Sequence, residues 1–339
     1  MKRFTRILSM CICLLLCVTI SPSAFASTHY TIDTPYEYPV TPASSEWLEM
    51  SSHTERVNSC QIPESYLSGM STSALIQTIA SYPLLIDVLL FNNSTEAYQA
   101  IKNFNAISEL EKRPDALSEL TRFIETNESI QDNYVSKTAL EVIALSATFQ
   151  PNTLSDRDTL RSSQLNYSNA YNLYPDLSPS TVKGSFFRAA TPKTPSGNPI
   201  TVIWYYDRTP ELTAEQIGVI EEEVLATYGL YPADDATVKY NCHSYAWHSQ
   251  SKSNKYWIDY PDDYLQDPLV RKVYSPRVGD RIVYQKTRGG SYLHSGVVTI
   301  ANTKVTMITS KWGAWGLYHH TVDNCPSDYG SYTSYYTVD

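Results

Sequence analysis

Charge is scarce in this chain, and basic charge scarcer still. Only 18% of the 339 residues are Asp, Glu, Lys or Arg, below the roughly one-quarter usual in globular proteins. The 26 Lys and Arg face 35 Asp and Glu, and three of the basic ones (Lys2, Arg3, Arg6) lie in a first stretch of 26 residues that holds no acid. Beyond that stretch 23 basic residues face 35 acidic ones, a net charge of −12. No basic face is available for a nucleic-acid footprint, so nucleic acid is not an expected partner. Low charge beside 42% hydrophobic residues also excludes wholesale disorder. Cysteine is sparse, with six in all, and Cys11, Cys13 and Cys17 fall within the first stretch. Long apolar runs are lacking after residue 26, so no stable membrane insertion is expected there. Internal repeats are lacking too. Cys242, His243, His248, His319 and His320 carry metal-ligating groups, but no C-x-x-C or H-E-x-x-H spacing joins them. Neither a metal nor another cofactor is expected.

The residues present at the start read as an export signal. Met1 to Arg6 is a positive n-region, and Ile7 to Ile20 is an apolar run too short to span a bilayer comfortably. Ala24-Phe25-Ala26 is an A-x-A cleavage site, so residues 1–26 are the expected signal peptide, with cleavage before Ser27. The expected location is outside the cell, free or held at the cell wall. Cys60, Cys242 and Cys325 remain, and an odd number leaves at least one thiol unpaired or paired between chains. Cys60 with Cys325 is the expected disulfide. Cys242 in a bridge with either is the alternative.

The chain length suggests two domains. Residues 27–57, rich in Ser, Thr, Pro and Tyr, read as an extended leader. Residues 58–149 read as an all-α helical bundle: Pro83 opens a stripe of Leu84, Leu85, Val88 and Leu89, and Asn93 with Glu96 is a capping pair. Pro114 restarts a helix through Leu117, Leu120, Phe123 and Ile124, and Leu140, Ile143, Ala144 and Ala147 make a fourth stripe. Residues 150–199 read as a linker. In 200–339 a strand at Ile200–Tyr206 precedes a helix with a Thr213/Gln216 capping box, a Leu212/Ile217 staple and a stop at Gly229. Strand patterns follow at Arg281–Gln285, His294–Ile300 and Lys304–Ser310. One helix followed by a meander predicts an α+β domain. The 27 Tyr against 8 Phe suit sheet surfaces and polar aromatic grooves.

Three pieces in this half point to chemistry. Tyr240-Asn241-Cys242-His243-Ser244-Tyr245-Ala246-Trp247 places a Cys at a helix start, Val278-Gly279-Asp280-Arg281 is a turn feeding a strand, and His294-Ser295-Gly296-Val297-Val298 places a His at the start of the next. A helix N-terminus favours the thiolate, an adjacent His can take its proton, and the His needs an orienting partner. A three-residue turn at Ala301-Asn302-Thr303 would pair residues summing to 604 and set Ser310 opposite His294. A two-residue turn would set Lys311 there instead. Ser310 can accept from an imidazole and Lys311 can only donate, so Ser310 is the expected third member. His320 is another candidate. Tyr240 is a candidate for holding an oxyanion, and Trp257 for lining a substrate groove.

This order of Cys, Gly-Asp strand and H-x-G-V-V resembles NlpC-type and CHAP-type papain-like cysteine hydrolases over about 200–339. The resemblance implies a papain-like α+β fold, a secreted bacterial enzyme cutting amide bonds of peptidoglycan peptides, Cys242 as nucleophile and His294 as base. The family's Cys-Ser-Gly-Phe-like run stands here as Cys242-His243-Ser244-Tyr245. The strings around Cys242, Tyr256-Trp257-Ile258-Asp259-Tyr260-Pro261 and Ser310-Lys311-Trp312-Gly313 are also similar to those of secreted Gram-positive proteins with this two-part layout. The competing class is a non-catalytic envelope- or surface-binding protein that keeps the fold.

Overall fold

Short polar caps set the helices of the N-terminal half. In a computed structural model, which describes residues 31–146, 170, 192–200, 204–205 and 212–339, helices α1 (Ser45–Glu49) and α2 (His53–Ser59) each start at a serine. Ser44 and Ser52 accept from the backbone N–H of Trp47 and Glu55. Both helices overlap the segment expected to be an extended leader. They are too short to show a period, and α1 is anchored by the fully buried Trp47. Next come α3 (Glu64–Leu67), α4 (Thr72–Ala80) and a 3-10 helix over Leu85–Leu90. Helix α5 (Ser94–Ile101) starts as expected, with Asn93 accepting from the Glu96 N–H. The run ends with α6 (Asn105–Leu110), α7 (Ala116–Thr126), α8 (Glu128–Asp132) and α9 (Tyr134–Leu145). The expected signal peptide and nearly all of the expected linker lie outside the described residues.

A two-stranded ladder joins β1 (Trp204–Tyr205) to β2 (Tyr256–Trp257). Helix α10 (Ala214–Tyr228) carries the Thr213/Gln216 capping box and stops at Gly229, whose φ of 65° is the left-handed conformation a glycine adopts without a Cβ clash. After α11 (Asp262–Leu265) comes one antiparallel sheet of β3 (Val270–Val273), β4 (Arg281–Gln285), β5 (His294–Ala301), β6 (Thr306–Lys311), β7 (Leu317–Thr321) and β8 (Tyr332–Val338), in spatial order β3-β8-β4-β5-β6-β7. The architecture is α+β. No helix among the described residues is long and apolar enough to cross a membrane.

One hydrophobic core runs from Trp47 in α1 through the helices to Trp312, Trp315, Tyr318 and Tyr329 around the sheet. Residues Thr31–Asp339 accordingly form one compact unit. Each fully buried aromatic of that group contributes roughly 4–6 kcal/mol of transfer free energy at about 25 cal/mol per Å². An exposed ion pair gives under about 1 kcal/mol. Apolar burial therefore holds helices to sheet, and polar contacts fix where they meet.

One such contact is partly buried. His53 Nε2 lies 2.7 Å from Asp87 Oδ2 on the 3-10 helix, and its Nδ1 lies 3.8 Å from Asp328 Oδ2 beside the sheet. The carboxylates flank opposite nitrogens, an arrangement suited to an imidazolium. Lys286 completes the cluster at 3.3 Å from Asp328. Burial opposes the His53 charge, but Asp87 first and then Asp328 outweigh it and raise its pKa. Glu223 is pushed up to about 7 and Glu96 to about 8, chiefly by burial. A raised folded-state pKa stabilises below the unfolded value and is lost as pH rises through the folded one. All three groups act in that sense. The melting temperature should therefore fall as the pH rises from about 6.5 to about 8, where the three losses overlap, and His53→Gln should flatten that slope, as followed by circular dichroism.

Candidate active site

Cys242 sits at the first turn of a short helical stretch that widens into a π-turn over Ser244–His248. Asn241 builds that turn. Its Oδ1 accepts from the N–H of Ser244 at 3.1 Å and of Ile258 at 3.2 Å. Its Nδ2 donates to the Ile258 carbonyl at 2.6 Å and to Asn92 Oδ1 at 2.8 Å. The Cys242 S–H also points to Asn92 Oδ1, at 3.5 Å. Asn92 Nδ2 in turn donates to the Leu293 carbonyl at 3.2 Å. Asn92 belongs to the helical half, 150 residues before the thiol. Sequence reasoning missed it as a site residue because nothing local marks it. Asn241 had a signal, an Asn immediately before a helix start.

His294 opens β5 and is fully buried, its ring stacked on Tyr329 at 3.9 Å between centroids. Its Nε2 lies 2.9 Å from Ser310 Oγ. The contact arises from a different register than expected. Asn302 N–H bonds the Val305 carbonyl, making a longer turn, and β5 bulges between Val298 and Ile300. Val297 then pairs with Thr309, which aligns Ser310 with Gly296. The slip is two residues, and side chains alternate with a period of two, so Ser310 stays on the His294 face and meets it diagonally.

The hydrogen bonds settle the tautomers. His320 Nδ1 lies 2.8 Å from the Thr321 carbonyl, so it carries the proton and Nε2 is an acceptor. Ser310 Oγ lies 2.7 Å from that Nε2 and donates its single proton there. Trp312 Nε1–H donates to Ser310 Oγ at 3.0 Å. The remaining lone pair of Oγ can only accept, so His294 carries its proton on Nε2. The Nδ1 lone pair of His294 is left bare, and no described group hydrogen-bonds to it. No hydrogen bond joins Cys242 to His294, but the Ser295 N–H, one residue on, faces the Cys242 sulfur. His243 is fixed the same way, with Nδ1 on Ser295 Oγ at 2.7 Å and Nε2 on the Tyr292 carbonyl at 3.1 Å.

Burial governs the electrostatics. It pushes the Cys242 thiol up to about 12 despite the Ser295 N–H and the Asn92 contact. It holds His294 well below its ordinary value, with His320 and His243 adding to the effect, and His320 at about 4. The resting pair is a neutral thiol and a neutral imidazole.

The other expected residues fall differently. Lys311 turns away from His294, and its buried ammonium donates to the carbonyls of Thr237 at 2.9 Å, Gly313 at 2.7 Å and Trp315. The Tyr240 ring lies 5.4 Å from that ammonium. Trp257 lines no open groove: it is fully buried and donates from Nε1 to the Asn92 carbonyl at 2.7 Å. The expected Cys60–Cys325 disulfide is corrected, since both are free thiols. Cys60 lies by Ser59 in the helical core and Cys325 by the Val322 carbonyl, and burial raises them to about 11 and about 12. No family model, curated protein or solved structure matches the chain.

Ser310→Ala would strand the His294 and Trp312 N–H groups and His320 Nε2. Urea unfolding should show a loss of about 3 kcal/mol or more, at about 1–3 kcal/mol for each unmet buried group.

Proposed function

We propose that the protein is an exported cysteine hydrolase of amide bonds, built on a papain-like scaffold of the NlpC and CHAP kind and acting on peptide or peptidoglycan substrates. The observation that carries this reading is the bare Nδ1 lone pair of His294, held by the Ser310–His320 chain in the strand whose next N–H faces the Cys242 sulfur.

The steps follow from those groups. The Cys242 proton passes to His294 Nδ1 as the sulfur attacks the amide carbon. The oxyanion meets the Cys242 N–H and the Asn241 carboxamide N–H, with the Tyr240 hydroxyl a further candidate donor. The C–N bond breaks as the imidazolium protonates the leaving amine. Water, losing a proton to Nδ1, then releases the acid from the thioester. Ser310 and His320 stay neutral and keep the proton of His294 on Nε2.

A non-catalytic envelope-binding protein is the second reading. It is favoured by the complete burial of both Cys242 and His294.

Cys242→Ala should leave the circular dichroism spectrum unchanged and reduce amide hydrolysis by at least about 10³-fold, the scale of losing a nucleophile. A variant as active as its parent on peptide and cell-wall amides refutes the assignment. Ser310→Ala should cost roughly ten- to a hundred-fold in turnover, in the range of other outer-shell losses.

A further inference from the structure

The segment Leu89–Asn93, made of the last two residues of the 3-10 helix and the three that link it to α5, lies across the Cys242 site and is held there by groups of the sheet half. The Leu89 carbonyl accepts from the Ala314 N–H at 2.9 Å, and the Leu90 carbonyl from the Tyr329 hydroxyl at 3.0 Å. The Asn92 carbonyl accepts from Trp257 Nε1–H at 2.7 Å. Phe91 and Asn93 have extended backbones, at φ −101°, ψ 167° and φ −143°, ψ 163°. The fit is close at Gly313, where an added Cβ would collide with the Leu89 and Leu90 carbonyls. Asn93 Nδ2 reaches Asp259 Oδ1 at 2.8 Å on the far side.

Asn92 presents a primary amide to the thiol. Its carbonyl oxygen receives the Asn241 N–H and the Cys242 S–H, and its nitrogen donates to the Leu293 carbonyl. An amide so placed stands where a scissile amide would stand, with Asn241 as its oxyanion donor. Cys242, His294 and Asn92 are all fully buried, so nothing reaches the sulfur while the segment is seated.

We propose that Leu89–Asn93 occupies in cis the groove that takes the substrate, that the substrate is a peptide whose backbone is extended where Phe91 and Asn93 lie, and that the segment must lift for Cys242 to be reached. The inference rests on the hydrolase reading only for what happens after opening. Ala314 N–H, Tyr329 OH and Trp257 Nε1–H are the donors that an incoming peptide inherits. The His53–Asp87 contact, two residues before the segment, is one of its anchors.

The test uses the full chain, alkylated with iodoacetamide and mapped by mass spectrometry to separate Cys242 from Cys60 and Cys325. Gly313→Ala pushes the segment from the sheet side, and His53→Gln releases the anchor without touching the site. Each should label Cys242 about tenfold faster than the parent with unchanged circular dichroism, as expected for local opening. The blocked peptide acetyl-Leu-Leu-Phe-Asn-Asn-amide should slow that labelling. Equal labelling of parent and both variants, or no protection by the peptide, overturns the proposal. Fast, peptide-protected labelling without hydrolysis of any amide supports the groove and sinks the hydrolase reading. Equal hydrolysis by the parent and both variants overturns the groove and leaves the hydrolase standing.

Discussion

A serine hydroxyl has one proton and two lone pairs, and at Ser310 all three are committed in the interior of the sheet. The proton goes to His320, and the lone pairs take the N–H groups of Trp312 and His294. The arrangement has one consistent direction, set at its outer end by the Thr321 carbonyl. Burial makes the direction binding, because a reversed proton would leave an unmet polar group in a medium that penalises it. The three strands β5, β6 and β7 must therefore stay in register for the His294 proton to be fixed on Nε2. Gly296 enforces part of this, since a Cβ there would meet the side chains of Ile308 and Ser310.

The two halves of the chain meet as one interior. The helices contribute apolar mass, and a few polar atoms of the Leu89–Asn93 segment make the contact specific. The same burial that holds the halves together raises the Cys242 thiol and lowers the imidazoles, so packing and reactivity oppose each other at this site. If the proposed hydrolase reading holds, the most stable state is the one in which the thiol is least reactive.

Local rules read well from the residues. Asn93 caps α5, Thr213 and Gln216 form their box, Gly229 ends α10, and β4 spans Arg281–Gln285, because each depends on neighbours within a few positions. The Ser310 contact followed from face alternation even though the turn was longer than expected, since a two-residue slip preserves the face. What depended on distant partners was hidden. Asn92 at Cys242, Trp257 turned onto the Asn92 backbone, and Lys311 caged by three carbonyls are all set by packing across the chain. The helices at Ser45–Glu49 and His53–Ser59 are too short to show a period. A pairing of Cys60 with Cys325 rests on cysteine count alone, which carries no geometry.

The bulge between Val298 and Ile300 also divides the β5–β6 hairpin into two mechanical parts. Ala301 faces Thr306 at the tip, whereas Val298 faces Ile308 nearer the histidine, so one ladder position is absorbed between them. Changes of parity in the loop are thereby uncoupled from the inward-facing side chains below. The tip at Asn302–Val305 is the natural place to graft a reporter sequence or an affinity handle, since lengthening it leaves the Ser310–His294 alignment to be set by the strands beneath.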